Sequence, residues 1–209
     1  MKRMHRRIGR DQKQAQPLTR DLLDTMKAKC KNSRMGLRNK LLLQLGYETM
    51  RRRAKLCQFR LEDVRKMPRD KYVLLLRFSK TDQFGEGKLI PISATLYQLI
   101  EKWKKRIGEE EGFILRSVLK DGSVTDRLDP GSFIPILVDM QYRSRLRHLP
   151  HFSGHSLRVG AALDLLDKGV PIEKIMLRGG WGSKTTALRY LSTWVGTNLE
   201  IYEEQDDVA

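Results

Sequence analysis

Ser153-Gly154-His155-Ser156-Leu157-Arg158-Val159-Gly160-Ala161, then Gly169-Val170-Pro171-Ile172-Glu173-Lys174-Ile175-Met176, then Gly179-Gly180-Trp181, and Tyr190 nine residues later: this run decides the reading of the chain. Its punctuation is that of three successive helices. The first spans residues 154–168 and is closed by Gly169. The second starts at Pro171 and is ended by Gly179-Gly180. Ser183 caps the third, whose apolar positions are Leu188, Leu191 and Trp194. On the first helix His155 and Arg158 stand at i and i+3, so both project from one face. An arginine offers a planar fork to a phosphate, and a neighbouring histidine moves protons near neutral pH. Each feature alone has an ordinary reading: an exposed helix pair for His155 and Arg158, core aromatics for Trp181 and Tyr190. Their spacing taken together is far more specific.

Outward from that run, the pattern stays mostly helical. Thr19 caps a helix to about Cys30, and Leu37, Leu41, Leu42 and Leu45 stripe a second over residues 35–49. Residues 51–58 read as a short helix carrying Arg51, Arg52 and Arg53, whose plain reading is a solvated basic face. A hairpin joins residues 71–78 to 89–92 through a loop with Asp82, Gly85 and Gly87, and Lys80 stands at its mouth. Ser93 caps a helix that Gly108 ends, a short strand is expected at 113–115, and residues 130–146 read as helix. The expected class is α+β, mainly α-helical, with a small antiparallel sheet. Residues 1–16 form a basic arm, 17–195 the domain, and 196–209 an acidic tail.

The chain has 209 residues, with 41 Lys and Arg against 25 Asp and Glu, a net charge of +16. Residues 1–80 hold 24 of those cations and only 7 of the acids, and residues 81–209 are nearly balanced. Charge kept for solubility would not segregate in this way, whereas a surface built for phosphates would. Two cysteines, Cys30 and Cys57, make neither a disulfide framework nor a zinc site. The longest apolar runs are far too short to cross a bilayer, and no N-terminal segment resembles a signal peptide. The expectation is a soluble, cytoplasmic protein with a polyanionic partner and no membrane role.

Arg, Lys, HxxR, Trp and Tyr in this chain order resemble the tyrosine recombinase, or phage integrase, family. The likeness runs from the arm to about Leu199. It is sharpest in the C-terminal third and loosest between residues 110 and 150. Upstream it includes Arg38-Asn39, Tyr47-Glu48-Thr49-Met50-Arg51-Arg52 and Ser79-Lys80-Thr81. The resemblance implies the catalytic domain of that family, which in other members follows a helical domain that closes a clamp around DNA. Here only the basic arm precedes it. It implies Arg52 as the first catalytic arginine, with Arg51 and Arg53 as the alternative registers and DNA contacts. It implies Lys80 as the hairpin lysine, His155 and Arg158 as the HxxR pair, Trp181 beside them and Tyr190 as nucleophile. Arg116 and Lys120 match further DNA-contacting positions. One departure stands out: the family has an acidic residue three after the first arginine, and this chain has Lys55.

The residue types suit that chemistry. Two arginines and an indole N–H stabilise the charge of a phosphodiester transition state without a metal. A tyrosine with a pKa of roughly 10 needs a base, for which His155 serves, and the leaving oxygen needs a proton, for which Lys80 serves. No cofactor is implied. The implied partners are double-stranded DNA and further copies of the chain, four on two DNA sites, with the tail as a docking helix between protomers. The rival readings are a DNA-binding relative with weakened catalysis acting as an accessory factor, and a DNA-relaxing enzyme of the type IB class.

Overall fold

The computed structural model describes residues 14–77, 87–188 and 191. Two helices open it, α1 (Arg20–Ala28) and α2 (Arg34–Thr49). Ser33 caps α2, its hydroxyl accepting from the Gly36 N–H at 3.1 Å. A helix with one apolar stripe was expected here; instead α2 is buried on nearly every face, from Gly36 to Thr49. Several of its buried polar side chains therefore find partners inside the protein, as burial favours, although Gln44 Oε1 has none among the described residues. The Glu48 carboxylate accepts from Gln44 Nε2 at 2.6 Å and from the Ser93 backbone N–H at 2.7 Å. Arg38 Nε donates to Asn39 Oδ1 at 2.8 Å.

Helix α2 stops at Met50, which adopts a left-handed conformation (φ 53°) while fully buried. The chain then runs extended through Arg52 before a single turn, α3 (Arg53–Leu56). The helix expected over residues 51–58 is thus shorter by several residues. The consequence is that Arg51 and Arg52 precede the helical turn and Arg53 opens it.

Strands β1 (Val64–Met67), β2 (Lys71–Leu76) and β3 (Lys88–Ile92) form an antiparallel sheet in the order β1-β2-β3. The register pairs Val64 with Leu74, Leu74 with Ile90 and Tyr72 with Ile92. Leu74, Leu76, Ile90 and Ile92 point inward from β2 and β3 at alternate positions. Strand β1 adds an edge to the expected hairpin. Helix α4 (Ala94–Ile107) begins at Ser93, whose hydroxyl accepts from the Leu96 N–H, and ends at Gly108 in the left-handed region. Its Leu96, Ile100 and Trp103 are fully buried, each Leu-sized side chain contributing about 1.5–3 kcal/mol.

The segment at 113–115 is not a strand; Phe113 makes one isolated bridge with Arg60. A 3₁₀ turn (Pro130–Ser132) leads into α5 (Phe133–Arg143). Then come α6 (Ser156–Asp167) and α7 (Ile172–Gly179), and a further helix opens at residue 184. The Thr186 N–H donates to Ser183 Oγ at 3.2 Å, so the cap read at Ser183 is present. Among the described residues no helix is long and apolar enough to cross a membrane. The architecture is α+β and mainly helical, with helices packed around α2 and the small sheet beside them.

Candidate active site

His155 is the residue before the first turn of α6, held by a small serine network. Its backbone N–H donates to Ser153 Oγ at 3.2 Å, and the Ser153 N–H donates to Ser156 Oγ at 2.8 Å. The imidazole is half-buried, and this burial, followed by the cations of Arg158, Arg52 and Arg53, pushes its pKa below the ordinary value. Both causes favour the neutral form of the imidazole. His155 thus lies within reach of Arg158, Arg52 and Arg53, so the turn after α2 and the start of α6 converge on one basic pocket.

Arg158 lies one turn along α6 and is only 4% exposed. Its guanidinium carbon stands 3.9 Å from the centroid of the Trp181 ring, a cation–π stack in a site largely withdrawn from water. Trp181 is itself 7% exposed, and its indole N–H has no hydrogen-bond partner among the described residues. An indole donor buried in that way is costly unless a ligand completes it. The ring folds back onto Gly179, where an added Cβ would meet Trp181 Cζ3 at 2.1 Å, so position 179 requires glycine.

Of the three adjacent arginines, Arg52 and Arg53 are exposed and Arg51 is not. The stem of Arg53 lies over Gly154, where a Cβ would stand 3.5 Å from Arg53 Cδ. Arg51 turns inward. Its Nη2 donates to the Arg178 carbonyl at 3.0 Å and its Nη1 to the Gly179 carbonyl at 3.3 Å. This is a different use from the phosphate contact expected of it. Lys55 does not enter the pocket by any hydrogen bond; its Nζ donates to Gln58 Oε1 at 3.0 Å on the surface.

Arg116 and Lys120 lie in the loop between α4 and α5. Arg116 is 3% exposed, with Nη1 paired to Glu109 at 2.6 Å and its other nitrogens donated to the Phe113 and Glu111 carbonyls. A guanidinium committed in this way braces the loop. Lys120 is exposed on a turn. Lys80, Tyr190 and the tail expected to dock lie outside the described residues.

One basic surface escaped the sequence reading. Arg143, Arg145, Arg147, His148 and His151 are exposed just before Ser153, and Arg147 stacks on the Tyr142 ring at 4.4 Å. The signal was present, but averaging charge over residues 81–209 hid it.

The histidine yields a pH prediction. Because the folded imidazole has a lowered pKa, the unfolded chain takes up a proton first as pH falls. Stability should therefore decline as pH drops below about 6.5, the unfolded value. His155→Asn should flatten that part of the pH profile, measured by urea denaturation between pH 5 and 8. An unchanged profile would show that burial and cations do not act on this residue.

The profile of the Phage integrase family matches residues 16–194. The chain is 27% identical over 217 residues to the recombinase Cre of Escherichia phage P1, covering 95% of this chain and 63% of Cre. A solved structure of XerH site-specific recombinase bound to its difH substrate shares the fold. Its TM-score is 0.69 at 16% identity, over 92% of this chain and 54% of that one. A lambda integrase tetramer bound to a Holliday junction gives 0.60 at 19% identity, over 87% and 49%. The chain thus spans between about half and two thirds of these relatives. A profile match over so much of the sequence, joined to the shared fold, identifies the family: the chain belongs to the Phage integrase family.

Proposed function

We propose that this domain cuts and rejoins double-stranded DNA at specific sites through a covalent tyrosine–DNA intermediate. The observation that carries the proposal is the buried Arg158 guanidinium stacked on Trp181, one turn from His155, whose pKa is lowered by burial and by the Arg158, Arg52 and Arg53 cations. That arrangement suits a phosphodiester whose non-bridging oxygens gain charge in the transition state.

In this reading the scissile phosphate sits between Arg52 and Arg158, and the Trp181 N–H supplies the donor it lacks a use for in the free domain. The Tyr190 oxygen attacks phosphorus and its proton passes to His155. The bond from phosphorus to the 5′-oxygen breaks as the 3′-phosphotyrosine bond forms. Lys80 gives a proton to the departing 5′-oxygen. A 5′-hydroxyl from a second duplex then attacks the phosphotyrosine, passing its proton to Lys80 while His155 returns one to the tyrosine oxygen, which restores the tyrosine and joins the strands. The number of phosphodiester bonds is conserved once both steps are complete, so no energy source is consumed. Because a lambda integrase tetramer bound to a Holliday junction shares the fold, we infer that this protein works on two DNA sites as a tetramer. The division proposed with this reading is arm 1–16, catalytic domain 17–195, and tail 196–209 as a contact between protomers.

A second reading has one observation in its favour. Lys55 replaces the acidic residue that the family places three after the first arginine, and its amine is held outside the pocket by Gln58. A weakened enzyme that serves as a DNA-binding accessory factor would fit. The two are separated by incubating the protein, in EDTA, with a library of nicked duplexes of randomised sequence. Cleavage of a phosphodiester close to the nick releases the short strand between them and leaves the enzyme joined to the DNA. Covalent capture supports the recombinase; tight binding without capture supports the accessory factor.

The basic N-terminal segment makes a further prediction. Lys2 to Arg10 contains five cations. If they reach phosphates, deleting residues 1–10 should lower the slope of log affinity against log salt by up to about 0.9 per lost contact. Affinity measured from 50 to 300 mM salt tests this, and an unchanged slope would exclude the arm from the interface.

A further inference from the structure

Helix α7 ends immediately before Gly180-Trp181, so whatever fixes its last turn also fixes the ring beneath Arg158. The last four carbonyls of any α-helix lack partners within the helix. Here all four are accounted for. The Met176 carbonyl accepts the backbone N–H groups of Gly180 (2.7 Å) and Trp181 (3.0 Å). The Leu177 carbonyl accepts Lys88 Nζ at 3.0 Å. The Arg178 and Gly179 carbonyls accept the two terminal nitrogens of Arg51 at 3.0 and 3.3 Å. Arg178 Nε in turn donates to the Glu48 carbonyl in the last turn of α2, at 3.1 Å.

Two side-chain cations from distant parts of the sequence therefore meet at the negative end of one helix dipole. Their closeness is visible in Lys88, whose pKa is held below its ordinary value by burial first and by the Arg51 cation second. Like charges gather this way only where the carbonyls compensate them. The fit is tight as well. A Cβ on Gly180, which has φ +75°, would stand 2.1 Å from Arg51 Nη1.

We propose that Arg51 is a positioning residue for the cleavage reaction. With Lys88, it caps α7 and sets the place of Trp181 against Arg158, while its neighbours Arg52 and Arg53 face the phosphate. The cap joins three parts of the site. Arg51 belongs to the turn that carries Arg52, Lys88 to the strand that returns from the Lys80 loop, and Trp181 to the segment leading to Tyr190. The alternative is the expected one, that Arg51 touches DNA. The two differ in what they disturb. Losing a phosphate contact lowers affinity and salt slope; losing the cap leaves affinity and moves Trp181.

This proposal rests on the recombinase reading, but its first test does not need activity. In ¹H–¹⁵N spectra of the free protein the indole N–H resonance of Trp181 is assigned by Trp181→Phe. Arg51→Met should shift it, along with the Gly179 and Gly180 amides, and leave the Trp103 indole in the core unchanged. Arg51→Lys, which keeps the charge but has a single donor centre, should give an intermediate shift. Lys88→Met should give a small one, because Leu177 is largely exposed and water can replace the amine.

The second test is adduct formation on the captured nicked duplex. At saturating DNA, Arg51→Met should slow it by about 10- to 100-fold, the cost of a small misplacement in a catalytic group, with the dissociation constant within about twofold and the salt slope unchanged. In a Trp181→Phe background Arg51→Met should cost little more, because both act through one contact. A Trp181 resonance that stays in place in Arg51→Met would overturn the proposal. So would a salt slope lowered by about 0.9 with an unchanged adduct rate. If Arg51→Met fails to fold, Arg51→Lys and Lys88→Met decide by the same resonance. If the parent protein forms no adduct, the recombinase reading fails while the spectra still judge the cap.

Discussion

Tyr190→Phe should bind DNA as the parent does and form no covalent adduct at all. The substitution removes one oxygen and keeps the ring, so packing and affinity are spared while the only proposed nucleophile is lost. The argument for this tyrosine is positional. It follows Trp181 by nine residues, and the apolar pattern of the helix that Ser183 caps runs on past it in the sequence. That helix is anchored by Ala187 and Leu191, both fully buried and lying on either side of position 190 in the sequence. A buried anchor is what a nucleophile needs, since attack demands near in-line alignment with the leaving oxygen. Tyr202 is the competing candidate. It lies among Glu200, Glu203, Glu204, Asp206 and Asp207, whose charges repel a phosphate. The measurement is gel capture on the nicked duplex with a parallel binding titration. An adduct that survives in Tyr190→Phe would reject the assignment.

The second large effect belongs to Lys80. Arginine does not release a proton at any accessible pH, so Arg52 and Arg158 are unsuited to protonating the leaving 5′-oxygen. A lysine amine can give up its proton, so Lys80 is the proposed general acid. Lys80→Ala should slow cleavage of ordinary DNA by about 10²–10⁴-fold, the usual worth of a general acid. On DNA whose bridging 5′-oxygen is replaced by sulfur, a leaving group that needs no proton, Lys80→Ala should cleave at close to the parent rate. Arg158→Ala should stay slow on both substrates by about 10²–10³-fold, because it removes charge stabilisation and not a proton. If Lys80→Ala does not recover on the sulfur substrate, the lysine only holds phosphate, and His155 becomes the first candidate for the acid.

What the sequence made legible was local. Caps at Ser93 and Ser183 and stops at Gly108, Gly169 and Gly180 depend on a few neighbouring residues, and the structure has them where the pattern put them. Strand β1 was missed because Val64-Arg65-Lys66-Met67 has no apolar alternation; it is an edge strand whose state is set by pairing with β2. The stripe read in α2 is a surface pattern, whereas the helix is enclosed by α4, α6 and the sheet, and its polar residues are answered by partners such as Ser93, far away in sequence. In the site, the meeting of His155 with Arg158 followed from helical spacing. The inward turn of Arg51 did not, because it depends on carbonyls 127 and 128 residues away that no local pattern announces. The same holds for Arg116, whose partners are set by the course of its loop.

The central claim is that the domain becomes covalently joined to DNA through one tyrosine. The most direct measurement is mass spectrometry of the captured species, formed in EDTA and digested with protease and nuclease. The account predicts a peptide containing Tyr190 joined to a nucleotide by a 3′-phosphate. A nucleotide on another residue, a linkage through a 5′-phosphate, or no modified peptide despite full DNA binding would contradict it.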